Sequence, residues 1–144
     1  MNPVPVRTRV AIRADSLQTT ALLTEVSDPA AGAVLLFLGT ARDHSEGKTD
    51  ISHLEYEAYP ELVESKIKEV VDEATRRWPL RVVVVEHRVG QVAVGEPSVA
   101  VVVAAEHREE AFAAGRYLID QLKERAPIWK KEHWPGGAEW VEGA

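Results

Sequence analysis

Hydrophobic and polar positions alternate along TRVAIRAD. Val10 and Ile12 fall on one side and Arg9, Ala11 and Arg13 on the other, which predicts a strand. Asp15 or Ser16 can cap a following helix, in which Leu17, Ala21, Leu22 and Val26 recur at helical spacing. SDPAAG breaks that helix, and AVLLFLGTAR reads as a buried strand. After a polar loop, DHSEGKTD, the segment ISHLEYEAY sets Leu54, Tyr56 and Ala58 against His53, Glu55, Glu57 and Tyr59, the pattern of a half-buried strand.

Pro60 suits the first turn of a helix, where its missing N–H costs little. Val63, Ile67, Val70, Val71, Ala74 and Trp78 then form an apolar stripe that ends at Pro79. LRVVVVEHRV and SVAVVVAA predict strands, and GQVAVGEP between them carries turn residues. A last helix is expected from about Glu109 to Arg125, with Ala111, Phe112, Gly115, Leu118, Ile119 and Leu122 as its apolar face and Pro127 as its stop. The tail WPGGAEWVEGA reads as irregular. Helices separated by paired strands predict an α+β sandwich with a mainly antiparallel sheet. Neither a repeat nor a linker interrupts the 144 residues, so one domain over 1–144 is expected.

Composition narrows the chemistry. The chain has no cysteine, which excludes disulfides, thiolate metal sites and cysteine nucleophiles and suits a reducing compartment such as the cytoplasm. MNPVPVRTRV lacks the apolar segment of a secretory signal, and no apolar run approaches the roughly 18 residues of a membrane span. A net charge of −6 argues against non-specific nucleic-acid binding, so any anionic ligand needs a local basic pocket.

Three clusters offer one. GTARDHSEG places Arg42, Asp43 and His44 just after a buried strand, where a sheet can fix a loop; it also reads as a solvated turn. AAEHREEAF sets His107 and Arg108 at a helix start, where free N–H groups and a guanidinium favour an anion; equally, Glu109 and Glu110 there satisfy the helix dipole. LKERAPIWKKEHW gathers Lys123, Arg125, Lys130 and Lys131 around Pro127, with Glu124 as the one acid between Lys123 and Lys131. A chain that turns at Pro127 brings the Lys123 and Lys130 ammonium groups to one pocket with Ile128 and Trp129 as apolar wall, and crowded lysines lose protons near neutral pH. The alternative is that these cations complement a helix C-terminus. His53, Glu55 and Glu57 share a strand face but lack a recognisable further ligand, so no metal is expected there.

Taken in order, FLGTARDHSEG, LEYEAY, HRVGQVAVGE, AEHREEAF and LKERAPIWKKE with a later tryptophan resemble the large, catalytic subunit of molybdopterin synthase, the MoaE family, from about Ala33 to Val141. Ala41 stands where valine is commoner in that family. The resemblance implies an α/β hammerhead fold with an additional antiparallel β subdomain. It implies a sulfurtransferase that builds the dithiolene of molybdopterin from cyclic pyranopterin monophosphate and needs no cofactor of its own. Its partner would be a small ubiquitin-like sulfur carrier, the MoaD type, that ends in a glycine thiocarboxylate. The assembly would be a homodimer of large subunits within a heterotetramer. By the same resemblance Lys123 and Lys130 are the expected catalytic pair. Lys123 would lie nearest the thiocarboxylate, and Lys130 would stabilise developing charge or move protons. Arg42, His107 and Arg108, with Lys131 as a weaker member, are expected to bind the substrate anion. Without the resemblance, the residues support an anion- or phosphometabolite-binding α+β module, which remains the alternative.

Overall fold

A computed structural model describes residues 5–141, so residues 1–4 of the N-terminal segment and 142–144 of the tail lie outside the described residues. The elements run β1 (Arg7–Arg13), α1 (Thr19–Glu25), β2 (Ala33–Thr40), β3 (His53–Ala58), α2 (Pro60–Arg77), β4 (Leu80–Arg88), β5 (Gly90–Ala93), β6 (Pro97–Ala105), α3 (Arg108–Arg125), β7 (Ile128–Trp134) and β8 (Gly137–Val141). They form two four-stranded sheets, ordered β1-β4-β6-β2 and β5-β3-β7-β8. Among the described residues only the β1–β4 pairing is parallel, and every other pairing in the two sheets is antiparallel.

The valine runs explain the first sheet. Along β4 and β6, Val83, Val85, Val101 and Val103 face the core beneath α2 and α3, while Val82, Val84, Val102 and Ala104 face a second cluster with Leu17, Leu22 and Val26. A strand covered on both faces needs apolar side chains at odd and even positions alike, so its period-2 signal disappears. The second sheet adds only one face to the main core, through Leu54, Tyr56, Val92 and Ile128. The fold is thus the expected α+β architecture, a helix-covered sheet with an additional antiparallel sheet.

Four details depart from the local pattern. Helix α1 starts at Thr19 with Gln18 at its cap position, because the Asp15 carboxylate is held by both arms of Arg13 at 3.1 Å and does not cap. GQVAVGEP contains strand β5, closed by Gly90 and Gly95, each at φ 86, a backbone conformation that disfavours other residues. The expected irregular tail, as far as Val141, supplies strand β8 of a β7–β8 hairpin, and β3 pairs with the other edge of β7. Phe112, expected in the apolar face of α3, is 63% exposed.

Candidate active site

The register of β3 against β7 sets the chemistry of this region. Tyr56 lies opposite Lys130 and Leu54 opposite Glu132, and directly opposed residues share a face. Lys130 and Glu132 therefore stand on the inward side with the buried Leu54 and Tyr56. Lys131 is opposite Glu55 on the other side, where its ammonium lies 5.3 Å from the centre of the Trp140 ring.

Lys123 arrives from the last turn of α3. The Ala126 N–H still donates to Leu122, and Ile128 N–H donates to the Ala126 carbonyl at 2.9 Å, so the chain reverses tightly around Pro127. Arg42 and His44 come from the loop after β2, whose base is tied down by Ala41 N–H to the Glu96 carbonyl at 3.0 Å. Together Arg42, His44, Tyr56, Lys123, Lys130 and Glu132 line a cavity of about 190 Å³. A larger hollow, about 600 Å³, lies beside Tyr59, Trp129, Glu55 and Glu57, but no lysine or arginine lines it. Size does not decide between them; the convergence of cations does.

The electrostatics follow from this packing. Burial lowers the proton affinity of Lys123, and the neighbouring charges of Lys130 and Arg42 lower it further. Such a lysine gives up its proton more readily than one on the surface, and three cations together attract an anion. Burial acts to raise the Glu132 pKa, but hydrogen bonds from Lys48 and Ser45 and the charges of Lys48 and Lys130 together hold it below the usual value. The cavity thus contains one ionised carboxylate among its cations. Behind it, the Tyr56 hydroxyl donates to Ser98 Oγ and Ser98 donates to the Gly39 carbonyl, each at 3.3 Å. His87, edge-on to Tyr56, is pushed down to about 4 by burial, against the hydrogen bond to the Arg88 carbonyl that favours its charged form.

Of the six sequence-predicted residues, the fold brings together Arg42, Lys123 and Lys130. His107 and Arg108 occupy the cap and first position of α3 and line a separate hollow of about 480 Å³ with Gly32 and Glu106. They stand at the opposite end of α3 from Lys123, roughly 22 Å along a helix rising 1.5 Å per residue. Within one chain they do not join the cavity, and neither does Lys131. Tyr56, Ser98 and Glu132 are lining residues that the sequence reading did not single out. Glu132 had a usable signal: two residues beyond Lys130, it shares its face once 128–134 is a strand.

The strand face considered for a metal is occupied by its own contacts. His53 and His133 stack with centroids 4.2 Å apart, and His133 Nε2 lies 3.1 Å from Glu55 Oε1. Among the described residues, no group of three or more histidine, cysteine, aspartate or glutamate side chains is arranged to hold a metal ion.

Next to Lys123, an apolar groove of about 430 Å³ runs between the outer edge of β2 and α3, past Leu35, Phe37, Phe112 and Ile119. Gly115 lets Leu35 pack directly on α3 in this groove: a Cβ there would lie 2.2 Å from the Leu35 side chain.

Comparison with known proteins agrees with this architecture. Residues 12–125 match the model of the family described as MoaE protein. The molybdopterin synthase catalytic subunit of Escherichia coli strain K12 is 46% identical over 111 residues, which are 77% of this chain and 73% of that one. The corresponding subunit of Halalkalibacterium halodurans is 38% identical over 133 residues, 92% of this chain and 85% of that one. Among solved structures, the molybdopterin synthase of Staphylococcus aureus superposes with a TM-score of 0.85 at 33% identity, covering 91% of this chain and 95% of that chain. With the family match spanning most of the sequence and a shared fold beneath it, the chain belongs to the MoaE family, whose named relatives are molybdopterin synthase catalytic subunits.

Proposed function

We propose that the chain, as one catalytic domain, transfers sulfur from the C-terminal thiocarboxylate of a small ubiquitin-like carrier of the MoaD type to cyclic pyranopterin monophosphate, forming the dithiolene of molybdopterin. The observation that carries this reading is the meeting of Lys123, Lys130 and Arg42 in one half-enclosed cavity of an acidic protein. Both reactants are anionic there, one a phosphate and the other a thiocarboxylate. Arg42 and Lys130 offer charge-assisted bonds to the substrate phosphate. Lys123 stands where the groove between β2 and α3 meets the cavity, so a carrier tail lying in that groove would present its thiocarboxylate to it. A glycine-ended tail suits so narrow an approach because it has no side chain to clash.

The lowered proton affinity of Lys123 gives it two roles. As ammonium it polarises the thiocarboxylate carbonyl. As amine it accepts a proton while sulfur bonds to a side-chain carbon of the pterin and that carbon's bond to oxygen breaks, the oxygen leaving as water or with the opening cyclic phosphate. Lys130, facing it from β7, stabilises the negative charge that develops. A dithiolene needs two sulfurs and each carrier brings one, so two carriers act in turn while a singly thiolated intermediate stays bound. Release of each requires that its acyl–sulfur bond be cleaved, with water supplying the oxygen that restores its carboxylate. Lys131 takes no part in this reading, since it faces Trp140 on the far side of the strand. His107 and Arg108 join the pocket when a second copy presents the start of its α3 to it, which a homodimer within a heterotetramer would allow. The reaction belongs in the cytoplasm, in keeping with a sequence without cysteine.

The test is reconstitution with a thiocarboxylated carrier and cyclic pyranopterin monophosphate, reading molybdopterin as its fluorescent oxidised derivative. Lys123→Ala is expected to lower turnover by about a hundredfold or more, the scale of a lost proton-transfer group. Binding of the pterin without any turnover by the folded parent protein would favour the binding-module alternative instead.

A further inference from the structure

The loop between β2 and β3 is a short hairpin in its own right. Ser45 and Lys48 exchange backbone hydrogen bonds at 3.2 and 3.0 Å around Gly47, which takes φ 76. At its base, Ile51 N–H donates to the Asp43 carbonyl at 2.8 Å, and Ser52 N–H donates to the His133 carbonyl at 2.9 Å. These bonds fix the loop's return to β3. They leave the attachment of the far end to β7 and β8 to side chains.

There, Lys48 does what a surface lysine seldom does. Only 17% of its side chain is exposed, and its ammonium lies 2.9 Å from Glu132 Oε1 and 3.0 Å from Glu139 Oε2, joining β7 to β8. The Trp134 ring lies beneath it at 5.4 Å. Ser45 Oγ donates to the same Glu132 oxygen at 2.9 Å. Two residues of one hairpin thus grip a single buried carboxylate, and that carboxylate belongs to the wall of the cationic cavity. Arg42 and His44 lie between the loop's anchored base and this grip.

We propose that Lys48 is a positioning residue for the anion pocket, acting through Glu132 to hold the loop that presents Arg42 and His44. It has a second effect through charge. Glu132 shares its face with Lys130 and already feels its charge, and a carboxylate released by Lys48 turns to that cation, taking it from the substrate. Loss of Lys48 therefore both loosens the loop and weakens the pocket's positive field. The inference rests on the reading above, that Arg42 and Lys130 bind the substrate anion.

The experiment compares Lys48→Met, Lys48→Arg and Lys130→Met in the reconstituted synthase reaction, with amide hydrogen exchange across residues 43–52 of the same proteins. Lys48→Met is expected to raise KM for cyclic pyranopterin monophosphate about tenfold, the size of one charge-assisted contact, and to lower kcat as well, by no more than about tenfold, because the freed Glu132 also engages Lys130. Exchange at Ile51 and Ser52 rises with it, and Lys48→Arg restores both properties. Ser45→Ala, which removes only the second bond to Glu132, raises KM by about threefold and serves if Lys48→Met does not fold. An unchanged KM in folded Lys48→Met overturns the proposal even where exchange quickens, because the clamp then serves the loop alone. Lys130→Met separates the two levels. If it strongly lowers kcat/KM while Lys48→Met is silent, only the clamp falls; if neither variant changes KM or kcat, the cavity is not the substrate site and both readings fall.

Discussion

The two sheets have equal numbers of strands and opposite economies of burial. In the first, every residue of β4 from Val82 to Arg88 and of β6 from Ser98 to Ala105 is buried, with helices or packed loops on each face. In the second, β8 is exposed from Gly137 to Trp140, and β7 buries only Ile128 and Glu132. A sheet covered on both sides has no room for a reactive side chain except at its ends. A sheet covered on one side can direct charges into the seam where it meets the other. Lys130 and Glu132 do this, while α3 delivers Lys123 to the same seam. Stability is concentrated in one sheet, and the candidate chemistry lies where the second leans on it.

Substitutions with charge or polarity test that division. Val101→Asp places an unpaired carboxylate in the first sheet at a fully buried position and should cost more than about 4 kcal/mol, enough to abolish cooperative urea unfolding at 25 °C. A variant that still unfolds cooperatively near the parent midpoint would show the first sheet to be far more yielding than its burial implies.

His87 probes the border between the sheets. It is buried at the end of β4 and touches Tyr56 from the second sheet, with its pKa lowered from 6.5 to about 4. The unfolded chain binds this proton first as pH falls. The neutral imidazole's contribution is therefore complete above pH 6.5 and is lost progressively down to about pH 4. The difference corresponds to about 3 kcal/mol, and His87→Gln should flatten the dependence of unfolding free energy on pH in that window. An unchanged slope in the variant would move the titrating group elsewhere.

The smallest effect is expected on the open face of the second sheet. Trp140, 46% exposed and facing Lys131, should tolerate Trp140→Gln at under about 1 kcal/mol, measured in the same urea titration. A cost as large as that of Val101→Asp would erase the contrast between the sheets.

Much of this fold is legible in local patterns. The valine-rich strands, the stripe of α2 and the stop at Pro127 all appear where periodicity and breakers place them, because each depends on neighbours within a turn or two. The same proline signalled that the chain turns back and brings the lysines after it near Lys123. β7 and β8 were hidden for a physical reason: the inward positions of β7 include Lys130 and Glu132, so the alternation that marks a half-buried strand is not written in hydrophobicity. Lys48 was hidden too, since a lysine in a polar loop looks the same whether it faces water or Glu132.

By itself, the sequence determined which segments must be covered and which residue types were available for anion chemistry. It contains the apolar runs, the helix stripes and a cationic cluster in an acidic chain. Only the tertiary structure decided which lysines share a cavity. Lys130 and Lys131 are adjacent and chemically alike, yet β3 pairs the first with Tyr56 and the second with Glu55. A slip of one residue in that pairing would exchange their faces, because side chains alternate along a strand. The register is set by Leu54, Tyr56 and Ile128 seeking the core, and the position of the reactive cation follows from theirs.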